Sequence, residues 1–541
     1  MKKARVLLAM SLSWIALAPA GARADHPADR LGKIPAPGPT GTGLTRAGGL
    51  LWVADHGLDE LLAVEPGSGK VVRRLKSPGY RPGGLAFDGR QLWNVDVLQA
   101  RLYRIRPGDG LVTRTVPSPV AVPRALAWDG RALWVSDDAS KAIHRVDPLD
   151  GTTISEIPFP GRSVDGLTWD GRYLWVADRL ADRLYAVDTR HGEVVVIFNA
   201  PGPHASGLAF ADGRLQVLDY QDDDIVSLRR DGTDPVLLLG RQNQRVIFTH
   251  QVRNFGPDPL ARLEVLLAVP RDLPSQKLLE PARFSPAPGS IVSDRWGQRV
   301  ARFVFENVAA GSTTTVRLSA RVQARALRWV VWPERVGPLA KIPRPVRRRY
   351  LVDEPKYDIG NPVIQQAVQQ ALAGERNPYW MARAIYRYIH RKMHYQMIGG
   401  WDVAPKVLAR GSGSCSEYSY VMIAMCRAAG LPARYVGSLV VRRDRASWDD
   451  VFHRWVEIYL PGYGWIPVDP SRGDKPSQAE RADAFGGLED DFLVTTIGGG
   501  ASEWLDWNYN YNERYTCRGR CRVEVEPIAE WEPDGPGAGG R

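Results

Sequence analysis

From about residue 41 to residue 230, apolar and polar positions alternate with the two-residue period of β-strands, in short runs that stop at Gly, Asp or Pro. The alternation itself repeats. L-W-V-A-D at 51–55 returns as L-W-N-V-D (92–96), L-W-V-S-D (133–137), L-W-V-A-D (174–178) and L-Q-V-L-D (215–219). Trp52, Trp93, Trp134 and Trp175 stand 41 residues apart, with Gln216 in the fifth place. Asp55, Asp96, Asp137, Asp178 and Asp219 keep the same step, as do Leu44, Leu85, Leu126, Leu167 and Leu208. Each unit predicts four strands: an apolar one such as G-L-A-F, a D-G-R turn into L-W-V-A-D, then R-L-Y-A-V-D and E-V-V-V-I-F. Four strands per repeat of this length is the arithmetic of a propeller blade. An all-β propeller of five blades is therefore expected over residues 30–240, with a sixth blade if K-I-P-A-P (33–37) latches the ring. The Trp column is expected to pack between blades and the Asp column to tie turns, leaving the propeller to recognition or scaffolding.

The pattern changes twice downstream. Between 243 and 340, Q-R-V-I-F-T-H-Q-V-R-N, L-E-V-L-L-A-V-P and T-T-T-V-R-L-S-A-R-V alternate between Pro and Gly punctuation, which predicts a β-sandwich. I-P-R-P-V-R-R-R-Y (342–350) reads as an ordered basic linker. From Asn361 the period is helical, through P-V-I-Q-Q-A-V-Q-Q-A-L-A and then Y-W-M-A-R-A-I-Y-R-Y-I-H-R-K-M-H. An α+β unit is expected over 350–525 and a Gly/Pro-rich flexible tail over 526–541.

His390 and His394 stand four apart on the second of these helices, as a metal pair would. The glutamate of H-E-x-x-H is absent and the helix dipole alone favours histidine there, so no metal is expected.

Of the chain's 541 residues, 44% are hydrophobic and 24% charged, as in a globular protein, and the formal charge is +11. Lys2, Lys3 and Arg5 precede an apolar run from Val6 to Ala18, and Ala22-Arg23-Ala24 gives a small-residue cleavage site. Residues 1–24 are thus expected to be a secretory signal peptide, whose removal takes the charge from +11 to +7. The destination expected is the periplasm, or secretion, with no membrane span and no nucleic-acid partner. In an oxidising compartment the cysteines need placing. Cys517 and Cys521, in T-C-R-G-R-C-R, are a candidate local disulfide. Cys426 is read as a small buried apolar residue.

Cys415 differs from these. Ser414-Cys415-Ser416-Glu417 is a capping box, which sets Cys415 at the first position of a helix ending near Gly430 and Pro432. Unshared N–H groups and the dipole favour a thiolate there, and Gly411 and Gly413 leave room for another chain to approach. A nucleophilic thiol needs a base and a group that orients the base. His453 is the only histidine after Cys415 and lies in the strand-like H-R-W-V-E-I-Y-L. A hairpin about P-G-Y-G (461–464) brings Asp469, in P-V-D-P-S, within a residue or two of it.

G-S-G-S-C-S-E-Y-S (411–419), C-R-A-A-G-L-P-A-R-Y-V (426–436), H-R-W-V-E-I-Y-L-P-G-Y-G-W (453–465) and P-V-D-P-S (467–471) resemble the transglutaminase-like core. The resemblance implies a papain-like α+β fold with Cys415 as nucleophile, His453 as base and Asp469 as orienting acid. It implies acyl transfer at a protein or peptide amide, by a cysteine acyltransferase or by a cysteine peptidase or amidohydrolase. Trp401 and Tyr395 are candidates for a second oxyanion donor, and Glu417 supports the helix start. Nothing matches the calcium sites of animal transglutaminases, and no cofactor is expected. The blades are similar to bacterial repeat propellers, among them the five-bladed glutamine cyclotransferases. A competing expectation is a non-catalytic protein that binds partners through the propeller.

Overall fold

The computed structural model describes residues 25–397, 401–440, 447–450 and 452–534. The expected signal peptide and residues 535–541 of the expected tail lie outside the described residues. The protein is mostly β, built from many small antiparallel sheets around one helical layer.

The 41-residue units form five four-stranded antiparallel sheets. Their second strands, such as Leu50–Asp55, Leu92–Asp96 and Leu133–Asp137, are almost wholly buried, while fourth strands such as Val112–Pro117 are mostly exposed. The D-G turns depend on glycine: Gly89, Gly130 and Gly171 have φ of 93°, 94° and 95°. First strands of successive sheets lie against each other, and the fifth meets the first through a Ser206 hydroxyl that donates to Gly41 O at 2.9 Å. The approach leaves no space for side chains: a Cβ on Gly84 would lie 2.4 Å from Leu126 N, and one on Gly207 would lie 2.9 Å from Leu44 N. K-I-P-A-P starts no sixth sheet. The strand Arg30–Pro35 instead pairs with Asp224–Arg229 as the outer strand of the fifth, because the fifth unit supplies only three strands of its own.

The Trp and Asp columns are structural. Trp93, Trp134 and Trp175 are buried and donate their indole N–H to Asp88, Asp129 and Asp170 at 3.1, 3.1 and 2.9 Å. The five repeated aspartates are buried and accept backbone amides, as in Asp219 from His204, Gln221 and Asp222, each at 2.9 Å.

The sandwich reaches beyond its expected limits. Val236–Asn254 pairs along its length with Thr313–Trp329 on one side and Val523–Pro533 on the other. The facing sheet joins Leu260–Ala268 to Arg299–Val308 and Tyr511–Cys517. The chain past residue 525 is thus not a free tail. Val523, Val525, Ile528, Ala529 and Trp531 give it enough apolar alternation to complete a buried sheet, with Ala529 and Trp531 in the core. The basic linker also departs from expectation, since Arg344–Tyr350 is a short helix with Pro345 in its first turn.

The remaining sheet runs Gly464–Val468, His453–Leu460, Ala433–Val440, Phe492–Gly498. The helix Cys415–Ala428 packs on it with Pro362–Leu372, Pro378–Lys392 and Ala404–Arg410 around it. Every residue from Cys415 to Arg427 is buried, the polar Ser416, Glu417, Ser419 and Arg427 among them, and the helix sits at the centre of the largest core. The fourth repeat sheet docks on this layer. Glu193 accepts Arg383 Nε at 2.9 Å and also takes Arg387, and the His191 ring lies 4.0 Å from that of Trp380. Among the described residues, no helix is long and apolar enough to cross a membrane.

Candidate active site

Cys415 is the first residue of its helix, with Ser414 as N-cap. The capping box is present, and Ser414 N–H donates to Glu417 Oε2 at 3.0 Å. Glu417 is also held by Arg410, at 2.8 Å through Oε1. The glycines do not open a path to the sulfur. Beside Gly413 a Cβ would meet the Glu417 side chain at 2.8 Å, and beside Gly411 it would meet Lys392 O at 3.0 Å. The protein's own chain uses that room.

The second helix ends earlier than its periodicity predicts, at Lys392, with Met393 extended. His394–Tyr395 then runs parallel to Ser412–Gly413, with His394 N–H on Gly411 O at 3.0 Å and Gln396 N–H on Gly413 O at 2.9 Å. These bonds to the residues before Cys415 outcompete another helical turn. His394 leaves the helix and is exposed, so the two histidines do not share a helical face. His390 is committed elsewhere: its Nε2 donates to Pro470 O at 2.8 Å, bracing the loop after Asp469. Burial holds its pKa below the ordinary imidazole value.

His453 opens its strand opposite Ser438, and Val456 pairs with Val468 across the Gly464 turn. This register carries Asp469 to the imidazole, with His453 Nε2 to Asp469 Oδ2 at 2.6 Å. Asp469 Oδ1 is tied by its own turn, accepting Ser471 N–H at 3.1 Å, Ser471 Oγ–H at 2.9 Å and Arg472 N–H at 2.9 Å. The imidazole stacks on Phe492, with centroids 5.4 Å apart and planes 17° apart. With Nε2 on the aspartate, the other ring nitrogen is left for the thiol, which hydrogen-bonds the imidazole. Cys415 Sγ also lies 3.9 Å from Phe452 O.

Charge separation follows from these contacts. Burial alone would keep the thiol neutral, but the hydrogen bond and charge of His453, with Arg454 N–H, hold its pKa below the ordinary value. Burial likewise disfavours the imidazolium, yet the Asp469 charge and hydrogen bond, with the thiolate, push His453 up to about 10. Asp469 resists burial through His453, Arg472 N–H and Ser471, and is held below the usual carboxylate range. Both shifts favour the thiolate–imidazolium pair over the neutral one. Cys426, on the same helix, is fully buried without such partners and its pKa is pushed far up.

The structure separates the two oxyanion candidates. Tyr395 is 47% exposed and faces the thiol closely enough for the Cys415 and Asp469 charges, after burial, to raise its pKa. Trp401 instead stacks on Tyr509 at 6.1 Å and over the Arg454 guanidinium at 4.9 Å. Cys517 and Cys521 are paired, with Cα atoms 6.0 Å apart. A cavity of about 170 Å³ opens beside Asp469, lined by Trp455, Arg472 and Phe492 among others. It reaches the acid's side of the site and not the thiol. Phe492, Ser471 and Arg454 were missed by sequence reasoning, and His390 was noted only as half of a metal pair. Only Ser471 carried a local signal, as the third residue of D-P-S, where a hydroxyl closes a turn on the aspartate.

The profile of the transglutaminase-like superfamily matches residues 365–470. An uncharacterized protein of Haemophilus influenzae is 24% identical over 203 residues, 32% of this chain and 55% of that protein. The protein-glutamine gamma-glutamyltransferase of Pseudomonas aeruginosa is 27% identical over 139 residues, 23% of this chain and 20% of that protein. The chain thus spans between a fifth and just over half the length of these curated relatives. Among solved structures, a proposed cysteine protease of Cytophaga hutchinsonii aligns over 55% of this chain and all of its own, at 14% identity and a TM-score of 0.40. A glutaminyl cyclase of Myxococcus xanthus aligns over 39% of this chain and all of its own, at 17% identity and a TM-score of 0.35.

Proposed function

Residues 365–470 carry a transglutaminase-like domain, and we propose that it works as an exported thiol enzyme on protein or peptide amides, with Cys415, His453 and Asp469 as its triad. The observation that carries the reading is the chain of contacts from Asp469 Oδ2 through His453 to the thiol at a helix N-terminus.

The chemistry follows from the ion pair. The Cys415 thiolate attacks the amide carbonyl carbon, and the carbonyl electrons move to oxygen. The free N–H of Cys415, at the first helical position, faces that oxyanion, with the Tyr395 hydroxyl as second donor. His453 gives its proton to the amide nitrogen, which leaves as ammonia or an amine, and a thioester remains. A second amine, or water, attacks the thioester and returns a proton to His453. The amine product is a cross-link; water gives hydrolysis.

In this reading the five repeat sheets form a five-bladed propeller that recruits substrate or a protein partner, and the leader directs the chain to the periplasm. What supports the propeller is the succession of first strands, the fifth against the first. The test is incubation of the mature chain with a glutamine-bearing protein and a labelled primary amine, with ammonia and new carboxyl groups followed in parallel. Label incorporation marks a transferase, and carboxyl formation without label a hydrolase. Neither product, or products equal in Cys415→Ala, refutes the enzyme reading and favours a binding protein.

A further inference from the structure

A second cavity, of about 480 Å³, lies in the junction where the fourth repeat sheet meets the helical layer. Three elements wall it: the start of the strand Glu193–Asn199, the helix Pro378–Lys392, and the segment 474–481 that follows the Asp469 turn. Its volume is that of a small-molecule site, and clefts between structural units are common places for one.

The charge of the lining is one-sided. Arg383, Arg387 and Arg391 stand four residues apart and therefore share one face of the helix. Lys475 and Arg481 come from the segment after the Asp469 turn. Against these five cations the lining offers two carboxylates, Glu193 and Asp474, and both are in use. Glu193 pairs with Arg383 and Arg387. Asp474 accepts the Tyr418 hydroxyl at 2.9 Å. His390 also lines the cavity, but burial disfavours its charged form. Among the described residues, Arg391, Lys475 and Arg481 have no carboxylate within ion-pair distance.

These cations differ from the buried arginines of the core. Arg427, for example, spends its guanidinium on Ala433 O and Gly499 O in the packed interior. Arg391 and Lys475 are exposed, and Arg387 and Arg481 half-buried, so ions have access to them. Arg481 is also set in advance. Its Nη1 donates to Lys475 O at 2.9 Å and to Pro476 O at 2.7 Å, and its carbonyl accepts the Tyr386 hydroxyl at 2.9 Å. A cleft lined by one sign of charge concentrates ions of the other sign, and a guanidinium already held in place loses little freedom on taking up an oxyanion.

We propose that this junction cavity binds a phosphoryl group, as free phosphate or as a phosphate monoester, between Arg387 and Arg391 of the helix and Lys475 and Arg481 of the segment beyond it. One guanidinium satisfies a carboxylate, whereas cations from two separate elements match a dianion with three or more acceptor oxygens. A phosphate ion fills only part of the cavity, which leaves room for the organic part of an ester. The proposal does not depend on the enzyme reading. The segment it uses is continuous with the Asp469 turn, whose Pro470 O is held by His390 and whose Asp474 holds the cysteine helix through Tyr418.

The test is isothermal titration calorimetry of the mature chain with inorganic phosphate, glycerol 3-phosphate and acetate at constant ionic strength. It is repeated with Arg391→Gln/Lys475→Gln and with Lys341→Gln/Arg348→Gln, which removes the same charge from exposed positions outside the cavity. Inorganic phosphate or glycerol 3-phosphate should bind once per chain. The cavity variant should weaken that binding by about tenfold or more, and the outside variant should bind as the wild-type chain does. Tighter binding of glycerol 3-phosphate assigns the site to an ester; equal or tighter binding of inorganic phosphate assigns it to the free ion. Acetate bound as tightly as either, no saturable binding, or equal weakening in the two variants would overturn the proposal. If a variant fails to fold by circular dichroism, the comparison with acetate in the wild-type chain decides alone.

Discussion

In the repeat sheets, Asp55, Asp96, Asp137, Asp178 and Asp219 are buried, and each uses both carboxylate oxygens on the turns around it. In the core, Asp469 begins the same way, with Oδ1 on Ser471 and Arg472, but Oδ2 goes to an imidazole. One residue type and one turn chemistry serve both regions. The difference is the second oxygen, and what makes it chemical is a strand register that sets His453 between the acid and a helix-start thiol. The sheets even contain an Asp–His pair, Asp188 and His191 at 3.0 Å, but that imidazole stacks on Trp380 and serves the junction between regions.

Five substitutions test this contrast. Cys415→Ala should bring amide turnover to background, a loss of at least about 10⁴-fold, with an unchanged circular dichroism spectrum. Asp469→Asn should cost about 10³–10⁴ in kcat, because the amide no longer fixes the imidazole tautomer; Asp137→Asn should leave the rate unchanged. Equal effects of the two would erase the distinction between regions. Glu193→Gln leaves the buried Arg383 guanidinium without its carboxylate and should cost about 3–5 kcal/mol of unfolding free energy in urea. The sheets should then release before the core, with Cys415 reactivity retained in the early part of the transition. Asp137→Ala should have the smallest effect, about 1–3 kcal/mol, with no change in thiol reactivity.

What could be read in advance divides along the same line. The repeats were legible because each 41-residue unit solves one packing problem the same way, so Trp and Asp recur at fixed spacing. The capping box, the Gly464 hairpin and the His453–Asp469 approach were legible because each is set within about twenty residues. What needed distant partners was not. The chain past residue 525 reads as a tail until Val236–Asn254 is placed beside it. His394 reads as helical until Gly411 offers its carbonyl. Arg454 reads as one more outward-facing charge in H-R-W-V-E, and only the convergence of Trp401, Tyr420, Tyr435 and Tyr509 turns it inward.

The pH behaviour follows from the ion pair. The Cys415 thiol is held below its ordinary value and His453 is pushed up to about 10. Acid removes the nucleophile by protonating the thiolate, and base removes the proton donor by neutralising the imidazolium. Turnover should therefore plateau between the two limits, with its alkaline limb near 10 and absent from thiol alkylation.

The central claim is that the fold ionises one of two buried thiols on a single helix. Its most direct test is iodoacetamide alkylation of the wild-type chain against pH, with Cys415 and Cys426 read separately by peptide mass. The account predicts that Cys415 reacts with a midpoint below that of a free thiol, while native Cys426 stays unreactive throughout. A Cys415 midpoint at or above the free-thiol value, or two cysteines that titrate together, would contradict it.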